Sequence, residues 1–193
     1  MSVERWLPKI REPLESLCAA WQVPLGLAVG WIEVESGGRM SEVTSLDERG
    51  FFQLMPDESK DLAIDHQRLS TDALYSLSSG FKLIDYYRRV VKRICFEAGE
   101  PYIQPGTEYG WRLVKLAHSM GSGATRTIIR DALAHDSTIS WDMLKSYAMG
   151  NEAEYLRTLK HSPTKWFALI DRLCAIGAPY GFELTCSSPP TKP

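Results

Sequence analysis

Apolar residues recur along most of this chain at helical spacing, so it reads as almost wholly helical. A first helix is predicted over 7–21, with Ile10, Leu14, Leu17 and Cys18 on one face and Pro13 as a point where it can bend or restart. Pro24 suits a first helical position, and Leu25, Ala28, Val29 and Ile32 follow as the apolar face of a second helix. Gly37-Gly38 stops that helix. A short helix is expected over 57–66, after Pro56. A long one follows over 71–98, with Leu74, Leu77, Phe81 and Ile84 as its inner stripe. The Pro- and Gly-rich stretch 99–110 reads as a loop. Helices are then predicted over 111–120, 124–134, 140–148 and 152–160, with Gly121-Ser122-Gly123 as a turn. The last starts at Ser162-Pro163, a cap followed by a first-turn proline, and runs to about 176. Residues 187–193 read as a flexible tail.

Composition adds bounds. The 193 residues suffice for one well-buried core, and no linker divides them, so a single all-α domain over 1–186 is expected. A net charge of −2 supplies no general attraction to nucleic acid or anionic membrane. No apolar run approaches the roughly 20 residues of a membrane span. The opening MSVERWLPKIREPLE is charged and broken by proline, so no secretory signal is visible. Cys18, Cys95, Cys174 and Cys186 lack the paired spacing of a zinc site; buried thiols are expected, with a Cys174–Cys186 bridge left open. Neither a metal nor a cofactor is indicated, and no Ser-His-Asp arrangement stands out. Six Trp and eight Tyr suit either a packed core or stacking on sugars.

The candidate chemistry lies between Leu27 and Pro56, in LAVGWIEVESGGRMSEVTSLDERGFFQLMP. Glu35 falls at the end of the second helix, at the edge of its apolar face and before the glycine break. A carboxylate there is partly desolvated and near the negative helix end, and both disfavour its charged form, as a general acid requires. Glu33 flanks the same face; the adjoining Ser36-Gly37-Gly38 turn makes Glu35 the stronger candidate.

Glu35-Ser36-Gly37 followed by Gly50-x-x-Gln53-Leu54-Met55-Pro56 resembles the soluble lytic transglycosylase catalytic domain of the lysozyme-like superfamily. There a glutamate closes a helix in an E-S-G motif, and a G-L-M-Q-L-M-P segment follows in the glycan groove. Leu77-x-x-Gly80-x-x-Leu83-Ile84 is similar to the family's N-I-x-x-G-x-x-Y-L helix. Residues 116–123, LAHSMGSG, stand where the family has A-A-Y-N-A-G-P-G, and Glu152-Ala153-Glu154-Tyr155-Leu156 loosely matches the closing E-T-R-x-Y-V. The matches keep the family's order over residues 22–160. The chain departs from the family at His118-Ser119, in place of a Tyr-Asn pair, at Phe51 and Phe52, and at Asp47, where the loop has a glycine.

The resemblance implies a lysozyme-like helical domain that cleaves the MurNAc-GlcNAc β-1,4 bond of peptidoglycan, with Glu35 as acid and then base. Gln53, Thr44, Tyr155, His118 and Ser119 would contact substrate. Two alternatives stay open: a muramidase in which Asp47 activates water, and a catalytically silent module that holds glycan. The substrate lies outside the cytoplasm, so the absence of a visible leader implies delivery by a phage particle, a holin or a secretion system, or a leader lying outside this sequence.

Overall fold

The structure is a computed structural model that describes residues 2–99, 107–136 and 140–182. Within them it is all-helical, with isolated β-bridges and no strand. In order come α1 (Val3–Trp21), α2 (Leu25–Glu35), α3 (Pro56–Asp61), a 3-10 turn (Gln67–Ser70), α4 (Ala73–Glu97) and α5 (Glu108–Met120). Then follow α6 (Ser122–His135), α7 (Trp141–Gly150), α8 (Glu152–Thr158), α9 (Pro163–Gly177) and a second 3-10 turn (Ala178–Tyr180). No helix of the described residues is long and apolar enough to cross a membrane. The predicted tail over 187–193 and Cys186 lie outside the described residues. The described residues divide into two compact units, one from residues 2–86 with 172–182 and the other from within 87–171; α4 and α9 each contribute to both.

In the first unit α2 is the central element. The single apolar face expected for it gives way to burial all round: Leu27, Ala28, Val29, Trp31 and Ile32 are all fully buried, on every side of the helix. A helix apolar all round belongs inside a core. Gly26 and Gly30 permit this, because a Cβ on Gly30 would lie 2.4 Å from the Leu173 carbonyl oxygen and one on Gly26 2.3 Å from that of Gly177. The two glycines, one turn apart, therefore let the backbone of α9 lie almost directly on α2.

Pro13 does not restart α1, which runs unbroken through Pro8 and Pro13. The carbonyls these prolines leave without a helical partner belong to Glu4 and Lys9, both exposed residues, where solvent is at hand to supply the missing donors. The predicted helix over 57–66 ends early, at Asp61, because Ala63 turns left-handed (φ +51°) and Ile64 N–H bonds back to Ser59 O. Leu74 leaves the predicted inner stripe of α4: it is 64% exposed and, with Pro13, Leu17 and Tyr75, borders a surface cavity of about 510 Å³.

The second unit packs α5 on α6, α6 on α7 and α7 on α8. Side-chain caps start its helices where the sequence puts hydroxyls: Thr107 accepts from Gly110 N–H, Ser140 from Met143 N–H and Ser162 from Lys165 N–H. Helix α5 begins at Glu108, so the loop predicted to reach Gly110 is shorter, and only Gly121 (φ +81°) separates α5 from α6. Trp111, Leu113, Leu116, Ile128, Leu144 and Phe167 fill the core.

Candidate active site

Glu35 is the last residue of α2 and is half-buried. Its neighbour Ser36 is 1% exposed, and its hydroxyl lies 2.9 Å from the Phe51 carbonyl oxygen and 3.1 Å from that of Ile32. Phe51 N–H in turn donates to Ser76 Oγ on α4 (3.0 Å). Gly50 makes this crossing possible: its φ is +78°, and a Cβ there would lie 2.5 Å from Ser76 Oγ. One residue on, the Phe52 ring lies against Gly80, where a Cβ would come within 2.0 Å, and meets Trp31 and Phe81 edge-on. Glu35-Ser36-Gly37, Gly50 to Gln53 and the α4 segment around Gly80 are thus one packed assembly, although residues 36 and 80 lie far apart in the chain. Ser36→Ala is expected to lower stability by about 1–3 kcal/mol, since it leaves a buried carbonyl without its donor; the urea midpoint measures this.

Trp6 Nε1–H donates to Glu33 Oε2 at 2.7 Å, so Glu33 ties α1 to α2. The glycine break after Glu35 is needed for the same packing: Gly38 (φ +74°) has the Trp6 ring where a Cβ would stand, at 2.1 Å.

Gln53 is 3% exposed and left-handed (φ +50°). Its amide nitrogen donates to Gly50 O at 2.8 Å and reaches Glu42 O at 3.4 Å, while Oε1 has no hydrogen-bond partner among the described residues. Thr44 is occupied within its own turn: its hydroxyl donates to Glu48 Oε2 and accepts from the N–H groups of Leu46 and Glu48. Asp47 adopts φ +59°, a conformation glycine takes without strain. Its carboxylate accepts from Arg49 Nε at 2.7 Å, and its backbone carbonyl accepts from His66 Nε2 at 2.7 Å.

A Ser-His-Asp arrangement, invisible in the sequence, exists here. Ser59 Oγ lies 2.7 Å from His66 Nδ1, and Asp47 Oδ2 lies 3.6 Å from His66 Nε2. It is a brace rather than a nucleophile system. Ser59 is 1% exposed, and the Asp47 carbonyl rather than its carboxylate sits closest to the ring. The described residues contain no cluster able to hold a metal ion. The Cys18 thiol is pushed up to about 12 by burial and then by Glu15, which makes it unreactive. Cys95 and Cys174 are also buried.

The other predicted contacts lie in the second unit. His118, on α5, is half-buried, stands edge-on to Tyr87 (centroids 5.4 Å apart) and has Nδ1 3.0 Å from Lys115 Nζ. Ser119 Oγ is buried with no hydrogen-bond partner among the described residues. Tyr155 is buried, with its hydroxyl 3.3 Å from Asp131 Oδ2; burial and then Asp131 push its phenol above the ordinary tyrosine range. Lys115 is fully buried, and its sequence signal is a lysine inside the apolar stretch Leu113 to Ala117 of α5.

Burial, and then the charge of Lys115, hold His118 well below the usual imidazole range. The unfolded chain binds this proton near about pH 6.5 and the folded chain does not. Stability from this group is therefore complete above that pH and falls as acidity increases toward the folded-state value. The slope approaches about 1.4 kcal/mol per pH unit for one proton. His118→Gln should flatten this part of the profile in urea titrations at successive pH values.

No protein-family model, no curated protein and no solved structure matches this chain.

Proposed function

We propose that this protein is a lytic transglycosylase that cleaves peptidoglycan, with Glu35 as general acid and then general base. The observation that carries the reading is the anchoring of the α2 terminus. Ser36, the residue that follows Glu35, ties the helix end to the Gly50–Gln53 turn through Phe51 O. One carboxylate is thereby held at a rigid helix end, next in sequence to the residue that fastens the turn. A catalytic acid needs such fixed placement.

In this mechanism protonated Glu35 donates to the oxygen linking N-acetylmuramic acid to N-acetylglucosamine. The substrate's acetamide stabilises positive charge at the anomeric carbon, a known exception to the two-carboxylate scheme. Ionised Glu35 then takes the proton of the muramic acid 6-hydroxyl, whose oxygen closes on the anomeric carbon. The C–O bond to the leaving sugar breaks, a 1,6-anhydro ring forms, and no water is consumed. Gln53 acts from behind, its nitrogen holding the turn on Gly50 O. Thr44 and Tyr155 act through the loop and the core that they brace.

The test is digestion of purified sacculi, with the released muropeptides read by mass spectrometry. Products one water lighter, with 1,6-anhydro ends, are expected. Reducing ends would replace the transglycosylase with a muramidase and return Asp47 to the mechanism. Binding without release would leave a glycan-holding module.

A further inference from the structure

His66, just ahead of the first 3-10 turn, has both ring nitrogens engaged, each by a different part of the first unit. Nε2 lies 2.7 Å from the Asp47 carbonyl oxygen, and Nδ1 lies 2.7 Å from Ser59 Oγ on α3. A carbonyl only accepts, so Nε2 carries a hydrogen whether the ring is neutral or charged. The Ser59 hydroxyl can give or take, so it serves Nδ1 in either state. The bond to Asp47 falls where the loop over residues 44–54 needs support. Asp47 has φ +59°, which a residue with a Cβ enters at a cost and keeps where its surroundings hold it. From Asp47 the loop is tied onward. Its carboxylate accepts from Arg49 Nε, and Arg49 and Leu54 exchange backbone bonds of 3.0 and 2.9 Å around the Gly50–Gln53 turn. The Phe51 carbonyl in that turn lies 2.9 Å from the hydroxyl of Ser36, the residue after Glu35.

We infer that His66 is a positioning residue: by donating from Nε2 to the Asp47 carbonyl it holds the loop in the form that seats the Gly50–Gln53 turn on Ser36, at the end of α2. The effect on catalysis rests on the transglycosylase reading, with Glu35 as the acid; the hold on the loop does not. Without that donor the left-handed turn at Asp47 loses its brace and the loop takes other conformations. A displacement of about 1 Å around a reacting group can lower a rate on the order of 10²-fold. The other tie from the loop to this segment, Arg49 Nη1 to Ser70 Oγ, is longer at 3.4 Å and does not replace the His66 bond.

The test compares His66→Gln with His66→Asn by amide hydrogen exchange in the full chain. The glutamine amide nitrogen stands about where Nε2 does and keeps a donor for Asp47, whereas the shorter asparagine does not reach. In His66→Asn the Arg49 and Leu54 amides should exchange roughly tenfold faster, the equivalent of one hydrogen bond, while amides of α2 and α4 keep their rates. His66→Gln should stay near the parent. Equal exchange in the two variants, or acceleration spread over the whole first unit, would overturn the inference. If His66→Asn does not fold, the parent chain decides. A long-range ¹H–¹⁵N spectrum, with His66 assigned by its loss in His66→Gln, should show the hydrogen on Nε2, and a ring protonated on Nδ1 alone would overturn the bond. On sacculi, His66→Asn should lower kcat by about 10–100-fold with KM within a few-fold of the parent, and His66→Gln should restore most of the rate. An unchanged kcat in a variant with loosened loop amides, or a loss in KM alone, would overturn the catalytic part. Failure of the transglycosylase reading shows separately, as absence of anhydro-muropeptides from the parent, and leaves the exchange and spectral results intact.

Discussion

Glu35→Gln is expected to reduce muropeptide release from sacculi by about 10²–10⁴-fold, the usual contribution of a positioned general acid–base group. The amide keeps the shape of the side chain but can neither give up a proton to the leaving oxygen nor take one from the 6-hydroxyl. Both halves of the proposed reaction fail together, so kcat should fall while glycan affinity holds. Glu33→Gln is the matched control. Its oxygen can still accept from Trp6, so cleavage should stay within a few-fold of the parent and only stability should change. Release of muropeptides at an unchanged rate by Glu35→Gln would remove the proposed mechanism. Inactivity of Glu33→Gln alone would transfer the acid to the other side of the helix.

Gly30→Ala carries the largest expected structural penalty. Alanine normally favours a helix over glycine by about 1 kcal/mol, so local propensity alone predicts a gain. The tertiary contact reverses the sign. The new Cβ would stand 2.4 Å from the Leu173 carbonyl oxygen, an atom of a helix backbone that no rotamer change can move. Separating α2 from α9 opens the most buried part of the first unit, at a net loss of about 3 kcal/mol or more. That is a large share of the roughly 5–15 kcal/mol a domain of this kind has. Gly37→Ala is the comparison, since nothing lies within 4 Å of its Cβ position and only its φ of +59° opposes the change. It should lower stability by about 1–2 kcal/mol. Chemical denaturation of both variants tests the contrast; equal midpoints would mean that α2 and α9 do not meet as closely as described.

Glu35 illustrates how far the candidate site could be read in the chain. Apolar spacing ahead of it and two glycines behind it place it at a helix end, and both signals act within a few residues. The role of Glu33 is not local: its partner Trp6 comes from another helix. Asp47 likewise reads as a free carboxylate in a polar loop. In the fold its backbone turns left-handed, Arg49 holds its side chain, and His66, itself held by Ser59, caps its carbonyl.

What the sequence by itself determined is therefore the set of helices and many of their ends. Thr107, Ser140 and Ser162 cap by bonds to backbone three residues away, and Gly121 turns because it has no Cβ. Each such effect is complete within one helical turn, so spacing along the chain reveals it. Only the tertiary structure decided that α2 is buried on every side, that Leu74 faces solvent, that α1 passes unbroken through two prolines, and that a lysine lies buried beside His118. These outcomes depend on which surfaces meet across long stretches of sequence. The same apolar or charged residue gains or loses free energy according to the partner that covers it, and the local pattern does not encode that partner.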